Sequence, residues 1–210
     1  MKIIEPNVEI LTPINGDEIL KHIEKCGRVC YKSESNITDD SAAKFVANII
    51  KRGHESVLEH SSITVKFIVD RGVSHEIVRH RLASYSQEST RYCNYASGKF
   101  DGEITVICPM AIFKDSCENY DRWWHAIDQA EKCYLGMLAN GISPQIARSV
   151  LPNCLKTELI MTANLREWRH FFKLRCAPAA HPQMREVALM LLDKMRAAIP
   201  IVFDDLEVPE

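Results

Sequence analysis

Glycine and proline are scarce, 8 and 9 residues among 210, and no low-complexity tract, internal repeat or long linker breaks the chain. Collagen-like and disordered classes are thereby excluded. With 46% hydrophobic residues there is apolar material for a good core, and one compact domain over residues 1–210 is expected. Long apolar runs are missing too: no stretch approaches the roughly 18 uninterrupted residues of a spanning helix. Met1 to Leu11 has no basic flank ahead of an apolar segment, so no signal peptide is expected. A soluble, cytoplasmic protein without a membrane partner follows. Charge of one sign is also not in excess, with 26 basic against 28 acidic residues and a net charge of -2. Such a balance creates no whole-molecule field for polyanions, so a nucleic-acid partner is not expected and any anion must be held by local clusters. The eight cysteines are scattered without export signals and are expected as small reduced core residues. Cys26 and Cys30 stand one helical turn apart, neither a CxxC pair nor a zinc knuckle, and no metal is expected.

Periodicity outlines the elements. Helices are expected over residues 17–26, ending at Gly27, and 39–52, with Thr38 as N-cap and Gly53 as stop. Residues 62–69 alternate, with Ile63, Val65, Phe67 and Val69 on one face of a half-buried strand. After a turn at Asp70-Arg71-Gly72, Ser74 is expected to cap a short helix running through Arg81, and the serine-rich run 84–90 to leave it as a loop. Residues 118–139 form the longest helical pattern, with a stripe of Tyr120, Trp124, Ile127, Tyr134 and Leu138 closed by Asn140-Gly141. Ser143 and Pro144 open a short helix that carries Arg148 and ends near Pro152. Leu155, Thr157, Leu159 and Met161 alternate with Lys156 and Glu158 in a second strand, followed by a helix that Asn164 and Glu167 mark in capping-box spacing. The last helix starts at Pro182 with Met184, Val187, Leu191 and Met195 inward. Regular βαβ alternation and a Gly-rich fingerprint are both absent, so the expected class is α+β.

Chemistry concentrates in SHEIVRHRLASYSQESTRY, residues 74–92. Loop hydroxyls, backbone N–H groups and guanidinium forks are the parts that bind a phosphate monoester. On a helix of about 100° per residue, Arg79 and Arg81 point about 200° apart and would serve two anions or two parts of one. Glu76, one turn earlier, is placed to orient Arg79 or His80. Composition alone favours the plainer reading, a solvated charged helix with a polar loop. On the helix after residue 164, Trp168, Phe171 and Phe172 form an apolar stripe onto which Arg175 falls back. That cation must snorkel toward the helix C-terminus or meet an anion, and the residues leave both open. Two metal motifs fail on spacing: His54 and His60 are opposed on a helix, and His75-Glu76 to His80 has one residue too many for HExxH.

Arg79-His80-Arg81, seven further residues and Ser89 resemble the signature of the flavin-dependent thymidylate synthases. GHESVLEH, SYSQESTR, ARSVLP, TANLREWRHFFKLR and HPQMRE, in this order between about Arg28 and Leu206, extend the resemblance over most of the chain. It implies helices packed around a mainly antiparallel sheet and reductive methylation of dUMP to dTMP. FAD would carry the hydride, NADPH would be reductant and 5,10-methylenetetrahydrofolate the one-carbon donor. It implies that His54 and Ser56 contact the flavin, that Arg79, His80 and Arg81 reach its phosphates and adenosine part, and that Asn164, Arg166 and His170 are further FAD contacts. The nucleotide would be held by Glu76, Arg79, Gln87, Glu88, Ser89, Thr90, Arg91 and Arg148, with Gln87 also touching the cofactor. Arg175 matches the arginine that ionises uracil N3, and Ser89 is implied as a ligand rather than a nucleophile. The family assembles as homotetramers with shared sites. Cys30, Gln87 in place of a glutamate and a longer stretch from Arg175 to His181 depart from the pattern of some members. Two other readings compete: a nucleic-acid or nucleotide-binding module without catalysis, and a flavoprotein with another acceptor.

Overall fold

The computed structural model describes residues 1–109 and 117–208. The class is α+β, with helices around a mainly antiparallel sheet as expected. The elements in chain order are β1 (Lys2–Ile4), β2 (Asn7–Ile10), α1 (Gly16–Val29), α2 (Ser41–Lys51), β3 (Ser62–Asp70), α3 (Arg71–Ile77) and β4 (Ala83–Gln87). There follow β5 (Thr105–Ile107), α4 (Cys117–Ala139), α5 (Pro144–Ala147), β6 (Lys156–Asn164), α6 (Leu165–Arg175), α7 (Pro182–Ala198) and α8 (Pro200–Phe203). A four-stranded sheet has the order β2-β3-β6-β4. Its two central strands are antiparallel, since Leu165 N–H donates to Ser61 O at one end and Arg71 N–H to Leu155 O at the other. A separate pair, β1 with β5, is parallel, with Lys2 opposite Thr105 and Ile4 opposite Ile107.

The chain divides into two compact units, one of Met1–Asn7, Phe67–Ile77 and Ser86–Leu159, the other of Val8–Lys66, Val78–Tyr85 and Ile160–Glu210. In the first, Ile127 and Tyr134 of α4 pack with Tyr95, Ile104, Val106, Ala147 and Leu155. The stripe of α4 includes Trp123, partly buried in this cluster, whereas Trp124 is 37% exposed. Glu131 lies on the same inward face, where its carboxylate accepts from Ile104 N–H at 2.9 Å, so the expected register was off by one at this tryptophan. Gly141 closes the helix at φ +81°, a conformation that favours glycine.

In the second unit, Trp168, Phe171 and Phe172 of α6 are buried with edge-to-face contacts, and Trp168 Nε1–H donates to Ile63 O at 3.1 Å. Met184, Val187, Leu191 and Met195 of α7 are fully buried as their spacing predicts. Buried Arg169 is compensated by Glu55 (3.1 Å), Asp205 (2.6 Å) and the Val202 carbonyl, as a cation removed from water must be. α1 continues two residues past Gly27, which is not its stop but a point of close approach: a Cβ there would lie 2.7 Å from the Phe45 ring. Thr38 does not cap α2; its N–H donates instead to Ser41 Oγ at 2.9 Å.

Two expectations between residues 70 and 90 are corrected. α3 begins directly at Arg71, with Asp70 Oδ1 accepting from Val73 N–H at 2.7 Å, and stops at Ile77. Arg79 and Arg81 are therefore not helical, and the angle expected between them does not apply. The serine-rich run opens not as a loop but as edge strand β4, its burial alternating along residues 83–87. Serine disfavours helix interiors, but an edge strand leaves its hydroxyls in solvent and satisfies its backbone on one side.

Candidate functional site

In the second unit, the short segment between α3 and β4 turns His80 inward while Arg79 and Arg81 stay exposed on either side of it. Among the described residues no ion pair engages either arginine. His80 is 4% exposed, and its carbonyl accepts from Tyr85 O–H at 2.5 Å. Its Nδ1 lies 3.1 Å from Glu167 Oε1, and its Nε2 accepts from Arg175 Nε–H at 3.1 Å. The carboxylate that meets His80 is thus Glu167, whereas the sequence places Glu76 to orient either Arg79 or His80. Burial is the main cause that lowers the His80 pKa, and the Arg175 cation adds to it against the opposing pull of Glu167. The imidazole is therefore neutral at neutral pH.

A cavity of about 750 Å³ opens beside this cluster, lined by Asn164, Arg166, His170 and Lys173 together with Leu82 and the carboxylates of Glu55, Glu59 and Glu167. Asn164 holds the start of α6, its Oδ1 accepting from Glu167 N–H at 2.9 Å. Arg166 pairs with Glu59 at 2.6 Å, but both side chains are about half exposed, so this pair yields readily to a stronger anion. Two cationic side chains, an imidazole and an amide stand there beside three carboxylates, and Arg166 and Lys173 pair with Glu59 and Glu55, so a phosphate-bearing cofactor would take over cations that now serve those carboxylates. A second cavity of about 510 Å³ is lined by His54 and Ser56 with Arg28, Cys30, Tyr31 and Arg52, and shares no lining residue with the first. The residues from His54 to Glu59 therefore divide between two recesses.

Nδ1 or Nε2 of His80 and His170 and an oxygen of Glu167 lie within 4.8 Å of one another, as metal ligands could. Two features oppose a cation there. The Arg175 guanidinium already sits on His80, and its bond requires the imidazole proton on Nδ1, the nitrogen that faces Glu167.

In the first unit, the end of β4 and the residues after it form a second cluster. Gln87 Nε2 donates to Ser74 Oγ at 2.9 Å and Thr157 Oγ1 at 3.3 Å, which aims its carbonyl oxygen away from both. Glu88 accepts from Tyr95 O–H at 3.1 Å and Lys156 Nζ at 3.0 Å. Ser89 Oγ accepts from Arg91 N–H at 3.3 Å. Arg91 Nε donates to Gln145 Oε1 at 3.2 Å, and Arg148 Nη1 to buried Thr90 Oγ1 at 3.2 Å. Both guanidinium groups are steered by neutral side chains, and neither has a carboxylate partner among the described residues. Glu76 is half-buried on α3.

In the sequence Glu167, Ser74 and Thr157 stood out only for structural roles, as a capping-box residue, a helix cap and a strand residue. Glu167 stood in capping-box spacing, whose usual outcome is a bond back to the N-cap backbone, and only the fold brings His80 within its reach. Among the cysteines, burial pushes the thiols of Cys108 and Cys176 up to about 11 and that of Cys154 to about 12. All three are protonated and unreactive at neutral pH.

The fold is shared with solved structures. The UMP/dUMP methylase PolB from Streptomyces cacaoi, bound with 5-Br dUMP, superposes with a TM-score of 0.81 at 19% identity over 97% of this chain and 96% of that one. At that identity the likeness shows the fold alone. The flavin-dependent thymidylate synthase of Corynebacterium glutamicum is 33% identical over 220 residues, 96% of this chain and 84% of the relative. That of Mycolicibacterium gilvum is 34% identical over 221 residues, covering 97% and 85%. The thymidylate synthase complementing protein family matches residues 15–201. The chain belongs to this family, the flavin-dependent thymidylate synthases, and is an enzyme of the methyltransferase class.

Proposed function

We propose that this enzyme converts dUMP to dTMP in the cytoplasm, taking the one-carbon unit from 5,10-methylenetetrahydrofolate, with FAD as hydride carrier and NADPH as reductant. The observation that carries the nucleotide assignment is the pair Arg91 and Arg148, guanidinium groups oriented by Gln145 and Thr90 and without a carboxylate partner among the described residues. Such a pair suits a phosphate dianion, with Ser89 and Thr90 supplying hydroxyls and Gln87 an acceptor for a sugar or base donor. Glu88 and Glu76 complete this set. Arg175 stabilises negative charge on the uracil as N3 loses its proton and C5 becomes nucleophilic. No enzyme nucleophile is required, in keeping with the raised thiol pKa values.

Asn164, Arg166 and His170 would hold FAD along the larger cavity, with the exposed Arg79 and Arg81 toward its phosphates and His80 between them as a packing contact, and the bound flavin would supply the hydride that completes the methyl group. His54, Ser56 and Gln87 would add further contacts. The resemblance to the family adds a homotetramer with shared sites. The test is direct: purified protein given dUMP, methylenetetrahydrofolate, NADPH and FAD should release dTMP, measured by mass. Failure to form it, with a flavin spectrum that dUMP leaves unchanged, would assign the cofactor to another acceptor.

A further inference from the structure

Glu167 has no part in the function proposed above, and His80 enters it only as a contact of the cofactor. The hydrogen bonds between them determine more. Arg175 Nε carries a hydrogen and no available lone pair, so its 3.1 Å bond requires His80 Nε2 to be a bare acceptor. The single proton of the neutral imidazole then sits on Nδ1, 3.1 Å from Glu167 Oε1, and donates to that carboxylate. The other tautomer would set N–H against N–H toward Arg175. The imidazolium would do the same and place two cations in contact. Water cannot relieve either mismatch readily, because His80 and Glu167 are 4% and 6% exposed. The Tyr85 hydroxyl on the His80 carbonyl and the Phe171 ring 4.8 Å from the imidazole hold the bridge in place.

We propose that Glu167 and His80 are positioning residues for Arg175: Glu167 selects the His80 tautomer whose Nε2 accepts from Arg175, and that bond sets the plane in which the guanidinium meets the edge of the pyrimidine ring. A guanidinium is planar, so fixing Nε and the side-chain stem fixes the direction of its whole fork. The charge that develops on the uracil then finds a cation already oriented, without reorganisation during the reaction. The catalytic part of this role rests on the assignment of Arg175 to the uracil anion, whereas the tautomer does not depend on it.

Long-range proton–nitrogen spectra of histidine-labelled protein, with the His80 signals assigned by their loss in His80→Gln, read the tautomer directly. Wild type should show Nδ1–H at pH 7.5. Glu167→Leu should shift the ring toward the Nε2–H form and lower kcat by about 10- to 100-fold, the range typical of outer partners that orient a metal-ligating histidine. The dUMP Kd should change by less than about threefold, because the lost orientation matters most where charge develops. Glu167→Gln, whose amide oxygen can still accept, should keep the Nδ1–H form and recover most of kcat; it also serves if the leucine variant does not fold. Wild-type protein that forms dTMP with His80 in the Nε2–H or imidazolium form would overturn the positioning role alone. So would a Glu167→Gln variant that keeps Nδ1–H but turns over as poorly as Glu167→Leu. Wild-type protein that keeps Nδ1–H yet forms no dTMP would overturn the proposed function, and the catalytic role with it.

Discussion

Ser89, the last residue of the Arg79-to-Ser89 signature, accepts a backbone N–H from Arg91 and has no base beside it in the described cluster. Ser89→Ala should therefore weaken dUMP binding by about 2- to 10-fold, the worth of one hydrogen bond at roughly 0.5–1.5 kcal/mol, and leave turnover measurable. Calorimetry and a rate assay check this, and loss of all activity at unchanged affinity would contradict it. His80 carries a pH dependence of stability. Its pKa is lowered from 6.5 by burial first and by Arg175, so between the lowered value and 6.5 the unfolded chain binds the extra proton. Stability is full above pH 6.5 and declines as pH falls through that window. The melting temperature should drop between pH 7.5 and 5.5, and the slope should be shallower in His80→Gln. An equal slope in the two proteins would assign the effect to other histidines.

Element α6 joins the two roles of its start and end. Asn164 caps it, and one turn further Glu167 leaves the usual capping-box bond to reach His80, while Arg175 at the last position returns to the same imidazole. Asn164→Ala should cost about 1 kcal/mol, seen as a melting temperature lower by about 2–4 °C for a chain of this length. It should also reduce flavin content if Asn164 touches the cofactor, whereas an unchanged flavin spectrum would leave it a cap only. At α1 and α2 the deciding feature is Gly27, whose missing Cβ lets the Phe45 ring approach. Gly27→Ala should destabilise by about 1–3 kcal/mol through overpacking, despite alanine's better helix propensity. A stabilised variant in a denaturant titration would show that Phe45 can move aside at little cost.

At the scale of the whole molecule, the proposed homotetramer with shared sites predicts complementation between chains. His54→Ala and Arg166→Ala should each lose flavin and activity, and a refolded mixture should regain a part of both because some sites then draw wild-type residues from two chains. A mixture as inactive as its components would place every contact within one chain. The strands at 62–70 and 156–164, the amphipathic α7 and the end of α4 at Gly141 were legible in the sequence because period, caps and a positive-φ glycine are local properties. The Arg79-to-Ser89 signature, with its flanking segments, likewise carried the family. What lay beyond reach were the end of α3 at Ile77, the strand at Ser84 and Ser86, the inward turn of Trp123 and the partner of His80. Each depends on residues far apart in the chain: 87 positions separate His80 from Glu167. The sequence by itself determined which side chains are available for chemistry, and only the tertiary structure decided which carboxylate meets which imidazole. Burial makes an unsatisfied polar atom too costly to leave, and the fold alone chooses the group that satisfies it.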